Sequence, residues 1–342
     1  MKHLVALIIT ATTGVLAWSI ASAASPTPAP ATATPGTASC QNIQRPFIGT
    51  ICAPSSPGRH PAVLLLGGSE GGNSTMPLIA PLFAAHGYVA VTVAYFGLPG
   101  LPKYLVDVPV ETIGRAQRAV ASRKDVNPAE IGIFGGSKGG ELALLAASTY
   151  PAIKAVVADV PSPVAFVGLG ANDSPSGCSW SYRGKPLPCV PVSQAAAAAI
   201  GTELQHGGPL VLRRLYDLSL DADPAQVRKS FFHLDRIDGP VLCLAGADDL
   251  MWNSPRQCAM AMTYLKAHHH HYADRSIVYP DAGHLFLFAM HGPQTAVVSA
   301  PIGGMVMDFG GTKAGDAAAA QRAWKTIWRF LAHALPATVS AR

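Results

Sequence analysis

Short apolar runs alternate with longer segments of helical periodicity from residue 62 onward, and this alternation constrains the fold more than any other feature of the sequence. The runs are apolar at every position rather than at every second one, which is typical of strands covered by helices on both faces. We therefore expect a mostly parallel α/β sheet flanked by helices. The predicted strands are Ala62–Leu66, Tyr88–Ala94, Ile131–Phe134, Ile153–Ala158, Pro240–Ala245 and Ser276–Tyr279.

Three stripes of apolar residues at helical spacing are interpreted as the buried faces of helices. They are Val108, Ile113, Ala116 and Val120; Leu142, Leu145 and Ala146; and Trp324, Ile327, Trp328 and Leu331. The alternation breaks down over residues 160–238, a stretch too long for a single loop in a compact domain. We predict that this insertion lies over one end of the sheet as a lid.

The composition excludes two broad classes of protein. Hydrophobic residues make up 49% of the chain and charged residues 13%, against a usual charged share of about 25%, which excludes general disorder. The formal net charge is +5, with no dense basic run, so the chain lacks the electrostatic signature of a nucleic-acid-binding protein. We predict no nucleic-acid partner.

The first residues have the features of a secretory signal peptide. A positive start at Lys2 is followed by the apolar segment Leu4–Ile20 and by the small residues Ala21-Ser22-Ala23. The alternative is a transmembrane anchor, but threonines interrupt a segment already short for a hydrocarbon core of about 30 Å. We predict cleavage near Ala23, a secreted or periplasmic protein and no stable membrane anchor. Residues 24–39, rich in Pro, Thr and Ala, are predicted as a disordered linker before a single folded domain, 40–338.

The sequence contains six cysteines, an even number that fits disulfides in an oxidising compartment. Pairing of nearest neighbours, Cys40 with Cys52 and Cys178 with Cys189, closes short loops and is favoured over longer links. Cys243 lies inside an apolar strand pattern, where a buried small hydrophobe is the alternative.

The segment Gly135-Gly136-Ser137-Lys138-Gly139 is a G-x-S-x-G motif between a predicted strand and a predicted helix, which is the setting of a nucleophile elbow. The motif alone is weak, and its flanking elements make the prediction specific. The serine is expected in a strained backbone conformation, where a Cβ at the neighbouring glycine positions would collide with the adjoining strand or helix. Ser137 is the predicted nucleophile. A solvated surface charge is one interpretation of the Lys138 side chain.

A serine hydroxyl needs a base within hydrogen-bond reach and a third group that orients the base. These are expected in the order Ser, Asp or Glu, His, at the carboxyl ends of strands. The segment Gly246-Ala247-Asp248-Asp249 follows one predicted strand, and Pro280-Asp281-Ala282-Gly283-His284 follows the next. We predict that His284 is the base and that Asp249 orients it, because G-x-x-D is the usual spacing there. Asp248 is the alternative acid.

Oxyanion stabilisation is commonly the largest catalytic contribution, so a second backbone donor is expected near Ser137. The segment Gly67-Gly68-Ser69-Glu70-Gly71-Gly72 follows a predicted strand and can supply it. We predict the N–H groups of Ser69 and Lys138 as the two donors, with a flexible turn as the alternative. The segment lacks the G-K-[ST] of a phosphate loop, so nucleotide binding is disfavoured.

Two further features have competing interpretations. The side chains of Tyr95, Phe96 and Trp252 are predicted to bind substrate, and ordinary packing is the alternative. The run His268–His271 could bind a metal, but it lies between a helix pattern and a polar turn, which favours an exposed loop. We predict no metal and no cofactor.

Six motifs of this chain, taken together, carry a resemblance: Gly67-Gly68-Ser69-Glu70-Gly71-Gly72, Ala94-Tyr95-Phe96, the elbow with Lys138 and Glu141, Gly246-Ala247-Asp248-Asp249, Tyr279-Pro280-Asp281-Ala282-Gly283-His284, and Gly310-Gly311 before Ala320-Gln321-Arg322-Ala323-Trp324. They resemble the catalytic C-terminal domain of acyl-CoA thioesterases and bile acid-CoA:amino acid N-acyltransferases. The resemblance implies a dienelactone hydrolase-like α/β-hydrolase fold and a triad that falls on Ser137, Asp249 and His284.

The resemblance also implies a serine hydrolase acting on acyl thioesters through an acyl-serine intermediate. Family members with serine at the elbow hydrolyse the thioester, whereas those with cysteine pass the acyl group to an amine. The predicted partner is a small acyl thioester or ester, and the sequence leaves the oligomeric state open. A carboxylic ester or dienelactone-type hydrolase, an acyltransferase to amines and a catalytically silent binding module are the alternatives.

Overall fold

The computed structural model describes residues 38–302 and 305–336. The strands in these ranges are β1 Ser39–Ile43, β2 Gly49–Ala53, β3 His60–Leu66, β4 Val89–Thr92, β5 Val108–Pro109, β6 Val126–Gly136, β7 Ala155–Asp159, β8 Val167–Leu169, β9 Pro175–Cys178, β10 Trp180–Tyr182, β11 Lys185–Pro186, β12 Val241–Gly246, β13 Arg275–Tyr279, β14 Ser299–Ile302 and β15 Met305–Asp308. The helices are α1 Met76–Ala85, α2 Glu111–Ala121, α3 Lys138–Thr149, α4 Gln194–His206, α5 Arg213–Ala222, α6 Pro224–Ser230, α7 Ser254–Ala267 and α8 Lys313–Ala334.

The main sheet of the described residues has eight strands in the spatial order β1-β2-β4-β3-β6-β7-β12-β13. All neighbours from β4 to β13 are parallel, and β1 and β2 add an antiparallel edge. The prediction of a mostly parallel sheet is confirmed, and each of the six predicted runs overlaps one of its parallel strands. The β1–β2 hairpin was not predicted, because β1 is largely exposed and has no apolar run to reveal it.

Helices cover both faces of this sheet and build an apolar core on each side. Helices α2, α3 and α7 pack on one face, where Ile113, Leu144 and Ala261 are buried. Helices α1 and α8 pack on the other, where the rings of Phe83 and Trp324 meet edge-on with 5.9 Å between centroids. Apolar burial contributes about 25 cal/mol per Å² and fixes the strands between the helices. The carboxyl ends of the parallel strands therefore meet along one rigid edge.

Residues 160–238 fold as an insertion between β7 and β12 that contains β8 to β11 and α4 to α6. Its strand β10 pairs in parallel with β5, with Trp180 opposite Val108 and Ser181 opposite Pro109. This pairing corrects one predicted helix: α2 begins at Glu111, and Val108 belongs to a strand. Proline favours an extended conformation in the residue before it and has no N–H for a helix, which suits this position to a strand.

The six cysteines form three disulfides, Cys40–Cys52, Cys178–Cys189 and Cys243–Cys258. The two predicted pairings are confirmed. The interpretation of Cys243 as a buried small hydrophobe is wrong in part, since this fully buried strand residue is bonded to Cys258 of α7. Helix α7 packs directly on β12, which brings the two thiols together.

The predicted signal segment, residues 1–23, lies outside the described residues, as does most of the predicted linker, 24–39. Ser39, placed at the end of that linker, is instead the first residue of β1 and pairs with Ala53. Through residues 38–302 and 305–336, no helix has the length and apolar character needed to cross a membrane.

Candidate active site

Ser137 occupies the turn between β6 and α3, with φ 54° and ψ −121°. This is a strained conformation for a residue with a side chain and costs on the order of 1–3 kcal/mol. The neighbouring glycines permit the tight turn: a Cβ on Gly135 would lie 2.0 Å from the Gly139 carbonyl oxygen, and one on Gly139 would lie 2.2 Å from that of Gly67. The Ser137 N–H donates to the Asp159 carbonyl at 2.9 Å, which ties the turn to β7.

The structure brings together the three side chains predicted as a triad. His284 Nε2 lies 2.9 Å from Ser137 Oγ, and His284 Nδ1 lies 2.9 Å from Asp249 Oδ2. His284 and Asp249 are buried, whereas Ser137 is partly exposed. The three residues follow β6, β12 and β13, so the carboxyl ends of three parallel strands deliver them to one place.

The two adjacent aspartates differ in their surroundings. Asp248 is exposed, whereas Asp249 is fully buried and faces His284. The other carboxylate oxygen of Asp249, Oδ1, accepts hydrogen bonds from the N–H groups of Met251 at 3.0 Å and Trp252 at 3.2 Å. These bonds fix the carboxylate with Oδ2 toward the imidazole, which is the geometry expected of an orienting acid.

The His284 main chain is held from two directions. Its N–H donates to the Phe309 carbonyl at 2.8 Å, and the Gly283 N–H donates to Asp316 Oδ1 of α8 at 2.8 Å. Burial raises the pKa of Asp316 to about 6, although the Gly283 hydrogen bond acts in the opposite direction. Asp316 was not predicted, but its position in the first turn of a helix, four residues after the capping Thr312, is a signal that sequence reasoning can use.

A second carboxyl group, that of Asp159, lies buried at the end of β7 beside the site. Burial and the charge of Asp249 raise its pKa well above the usual range. Its Oδ1 has no hydrogen-bond partner among the described residues. Asp159 was not predicted, because the predicted strand ends at Ala158, one position short of the end of β7.

The glycine-rich segment 67–72 lies against the turn that carries Ser137. A Cβ on Gly68 would lie 3.3 Å from the Ser137 Cβ. The Tyr95 hydroxyl donates to the carbonyls of Gly67 at 2.6 Å and Gly68 at 2.9 Å, which holds the segment in place. Lys138 is the first residue of α3, so no carbonyl within the helix accepts its N–H. The assignment of the Ser69 and Lys138 N–H groups as oxyanion donors stays a prediction.

The three aromatic residues predicted to bind substrate are all buried. The Tyr95 hydroxyl is hydrogen-bonded to the glycine-rich segment. The Phe96 ring packs so close to Gly71 that a Cβ on Gly71 would lie 2.7 Å from it. The Trp252 indole N–H donates to the Val160 carbonyl at 2.9 Å, and its ring meets the His284 ring edge-on. Packing accounts for all three positions, and contact with a substrate stays a prediction for them.

The Lys138 side chain is not a solvated charge, and that interpretation is wrong. Its side chain is 3% exposed, and Nζ lies 3.0 Å and 3.2 Å from the two carboxylate oxygens of Glu141. Burial lowers the pKa of Lys138 and raises that of Glu141, while the charge of each partner opposes these shifts. The residue after the nucleophile therefore takes part in a buried ion pair.

The run His268–His271 was predicted as an exposed loop. His268, His269 and His271 are exposed, whereas His270 is not. The His270 ring is buried between Asp274 Oδ2 at 2.6 Å and the Ile237 carbonyl at 2.8 Å. Burial opposes its charging, but these two acceptors outweigh burial and raise the pKa of His270. Over the described part of the chain, no group of three or more His, Cys, Asp or Glu side chains could hold a metal ion.

Residues 108–337, well over half of the chain, match the family model described as BAAT / Acyl-CoA thioester hydrolase C terminal. The chain belongs to this family. It is 29% identical over 282 residues to acyl-coenzyme A thioesterase 1 of Homo sapiens, covering 82% of this chain and 62% of that protein. It is 27% identical over 282 residues to acyl-coenzyme A amino acid N-acyltransferase 1 of Mus musculus, with the same coverage of each. The chain thus spans about three fifths of the length of these relatives.

Solved structures show the same fold. A dienelactone hydrolase-like promiscuous phosphotriesterase from metagenomic libraries has a TM-score of 0.52 at 14% identity, covering 87% of this chain and 99% of that one. A puromycin-hydrolyzing peptidase of Mycobacterium tuberculosis has a TM-score of 0.54 at 17% identity, covering 87% of this chain and 39% of that one. These likenesses, with the parallel sheet described above, establish an α/β-hydrolase fold.

Proposed function

We propose that this chain is a serine hydrolase that cleaves acyl thioesters through an acyl-serine intermediate. The observation that carries the proposal is the position of the His284 ring, with one nitrogen 2.9 Å from the Ser137 hydroxyl and the other 2.9 Å from the Asp249 carboxylate. Such a bridge lets an imidazole accept the serine proton while a carboxylate fixes its tautomer.

In the first half-reaction, His284 Nε2 takes the proton of Ser137 as Oγ attacks the carbonyl carbon of the thioester. The oxyanion that forms accepts hydrogen bonds from the N–H groups of Lys138 and Ser69. The carbon–sulfur bond then breaks, and the thiolate leaves with the proton held by His284. Asp249 stabilises the imidazolium throughout.

In the second half-reaction, a water molecule gives a proton to His284 and attacks the acyl-serine. Ser137 leaves with that proton, and the carboxylic acid is released. The partly exposed position of Ser137 is compatible with the entry of this water.

The substrate class is proposed from the family and from the names of the relatives, which include thioesterases and an amino acid N-acyltransferase. Serine at position 137 favours transfer of the acyl group to water. A carboxylic ester or dienelactone-type hydrolase on the same residues is the second candidate, favoured by the fold shared with the dienelactone hydrolase-like enzyme.

Product analysis tests these proposals. We expect the wild type to release free acid from acyl-CoA faster than from short aryl esters, and we expect added glycine or taurine to leave the product as acid. Faster turnover of the aryl esters would support the second candidate, and amide formation would support an acyltransferase. A fluorophosphonate probe should label the wild type and spare Ser137→Ala, and an unlabelled wild type would support a catalytically silent binding module.

We also propose that the mature protein, a single catalytic domain over residues 40–338, is secreted or periplasmic. Three disulfides support an oxidising compartment. Fractionation of the producing cells, with thiol labelling of the unreduced protein, checks this location: we expect an extracytoplasmic protein without reactive thiols. The same protein recovered from the cytoplasm with labelled cysteines would contradict the proposal.

A further inference from the structure

We infer that the buried Lys138–Glu141 ion pair is a positioning device that clamps the insertion onto the turn carrying Ser137, an inference that rests on the proposed function. We call Lys138, Glu141, Phe166, Ser179 and Trp180 the elbow clamp. None of these side chains is proposed to touch the reacting atoms. Their role is to hold the Lys138 main chain where its N–H meets the oxyanion.

The clamp begins with the two charged residues of α3. Lys138 Nζ contacts both carboxylate oxygens of Glu141 and also donates to Ser179 Oγ at 2.9 Å. Glu141 Oε1 in turn accepts the Trp180 indole N–H at 2.6 Å and the Phe166 main-chain N–H at 3.2 Å. The rings of Phe166 and Trp180 lie 5.7 Å and 5.9 Å from the ammonium group. The pair is thus sealed from solvent and surrounded by partners.

Every partner named here beyond α3 belongs to the insertion 160–238. Ser179 and Trp180 directly follow Cys178, which is bonded to Cys189. That disulfide cross-links the insertion internally, and Trp180 pairs with Val108 of β5, where the Val108 N–H donates to the Ser179 carbonyl at 2.9 Å, so this part of the insertion is attached to the domain at β5. The clamp therefore joins a segment that is cross-linked within the insertion and paired with β5 to the first turn of the helix that follows Ser137.

A contribution to folding stability does not by itself explain why a buried ion pair occupies this position. Removing two charges from water is costly, and an apolar pair of similar volume often stabilises a fold equally well. A charged pair with directional hydrogen bonds is instead suited to select one arrangement of the groups that it joins. Here the selected arrangement includes the main chain of Lys138, one residue from the nucleophile, where a small displacement weakens an oxyanion donor.

The double variant Lys138→Met with Glu141→Leu separates positioning from stability. It removes both charges together and leaves neither of them unpaired in the interior. We expect it to lose less stability than Lys138→Met does, because no charge is left unpaired although the Trp180 and Phe166 N–H groups lose their acceptor. We expect kcat to be lower by about tenfold or more and KM to change by less than about threefold, because the loss falls on the transition state. A double variant with the wild-type kcat would overturn the inference.

The matched control is Lys154→Met. Lys154 forms an ion pair with Asp238, the last residue of the insertion, and the side chains of both residues are partly exposed. This pair lies at the amino end of β7, away from Ser137. We expect kcat to be unchanged in this variant. An equal fall in kcat in the control and in the double variant would show a general effect of attaching the insertion and would overturn the inference.

Two milder variants keep the inference testable if the double variant does not fold. Trp180→Phe removes the hydrogen bond to Glu141, and Ser179→Ala removes those to Lys138 Nζ and to the Phe166 carbonyl. Both variants leave the ion pair in place. We expect kcat to fall by about threefold to tenfold in each, with KM nearly constant. Wild-type kcat in both would contradict a positioning role.

Amide hydrogen exchange separates a failure of the inference from a failure of the proposed function. In Trp180→Phe we expect faster exchange over residues 166–180 than in the wild type, whatever the enzyme hydrolyses. Unchanged exchange there would overturn the clamp and leave the triad intact. Turnover retained by Ser137→Ala would refute the proposed function without bearing on the exchange result.

Discussion

Two buried polar networks start from adjacent residues of one turn, and their composition differs. The first runs from Ser137 to His284 and Asp249, and its hydroxyl end is partly open to solvent. The second is the elbow clamp, in which Lys138 and Glu141 carry opposite charges and are sealed from solvent. The first network ends in a hydroxyl group that is accessible for reaction. In the second network, every polar side-chain group is hydrogen-bonded to another member of the network.

This difference distinguishes residues that are proposed to react from residues that hold the site in place. Distance from Ser137 does not distinguish them, because the two networks start at adjacent residues. A reacting hydroxyl must be accessible, and its base must be free to take up a proton. A supporting network is most effective when every donor has an acceptor, because an unpaired buried charge is strongly destabilising. We therefore expect loss of activity with little loss of stability when Ser137 is replaced, and both losses when one charge of the second network is left unpaired.

The largest effect is expected at the nucleophile and the base. Ser137→Ala and His284→Ala should each lower kcat by about 10⁶-fold, since members of a triad act as a unit. The melting curve of Ser137→Ala should stay close to that of the wild type, whereas His284→Ala also leaves the buried Asp249 Oδ2 without its hydrogen-bond partner and should melt at a lower temperature. Steady-state kinetics together with calorimetry check both statements, and retained activity in either variant would contradict the triad.

A smaller loss is expected at the orienting acid. Asp249→Asn should lower kcat by about 10⁴-fold, because an amide still accepts the Met251 and Trp252 N–H groups but holds the imidazole in the wrong tautomer. The exposed neighbour provides the control: Asp248→Asn should have wild-type kcat. Reversal of this order would reassign the acid to Asp248.

In the second network, leaving one charge unpaired should measurably lower the free energy of unfolding. Lys138→Met leaves the Glu141 carboxylate without its cation and should lower the free energy of unfolding by about 3–5 kcal/mol. Lys154→Met, in an exposed pair with Asp238, should cost less than about 1 kcal/mol. Denaturant unfolding compares the two variants. Equal costs would remove the distinction between the sealed pair and the exposed pair.

Two disulfides close loops of nearly equal length, with sequence separations of 11 for Cys178–Cys189 and 12 for Cys40–Cys52. Replacing either pair with serines should lower the free energy of unfolding by about 2–4 kcal/mol. Only the first pair adjoins the elbow clamp, so only its removal should also lower kcat. Thermal melts and kinetics on both double variants check this, and equal kcat values would weaken the link between the insertion and the turn.

The smallest effect concerns pH and the carboxyl group that supports the His284 main chain. The pKa of Asp316 rises from 3.8 to about 6 on folding, so the folded state holds the proton more tightly than the unfolded state does. The free energy of unfolding therefore falls as pH rises from about 4 to about 6. Asp316→Asn keeps an acceptor for the Gly283 N–H and removes this fall. Its melting temperature relative to wild type should increase over that range and stay level above it.

The sequence predicted the central strands and the candidate triad for the same physical reason. Parallel strands buried on both faces are continuously apolar, and their carboxyl ends must meet at one edge, so Ser137, Asp249 and His284 could be named as candidates before any coordinates. The elbow clamp could not be predicted in this way. Its partners Phe166, Ser179 and Trp180 lie in an insertion with no regular period, and nothing local to Lys138 distinguishes a buried lysine from a solvated one.

Val108 is a second example of a residue whose placement the local sequence does not predict. The apolar stripe of Ile113, Ala116 and Val120 predicts a helix that extends back to Val108, but pairing with the insertion places Val108 in a strand. Asp159 shows another limit, because the chemistry of that carboxyl depends on the charge of Asp249, which is ninety positions away in sequence but close in the fold. Contacts between distant segments decide both cases, and local patterns do not record them.

The hydrogen bond from the Ser137 N–H to the Asp159 carbonyl has a consequence for how such proteins diverge. The Ser137 main chain is anchored to a neighbouring strand, so an exchange of helices α4 to α6 that leaves β6 and β7 in place is not expected to displace its hydroxyl group.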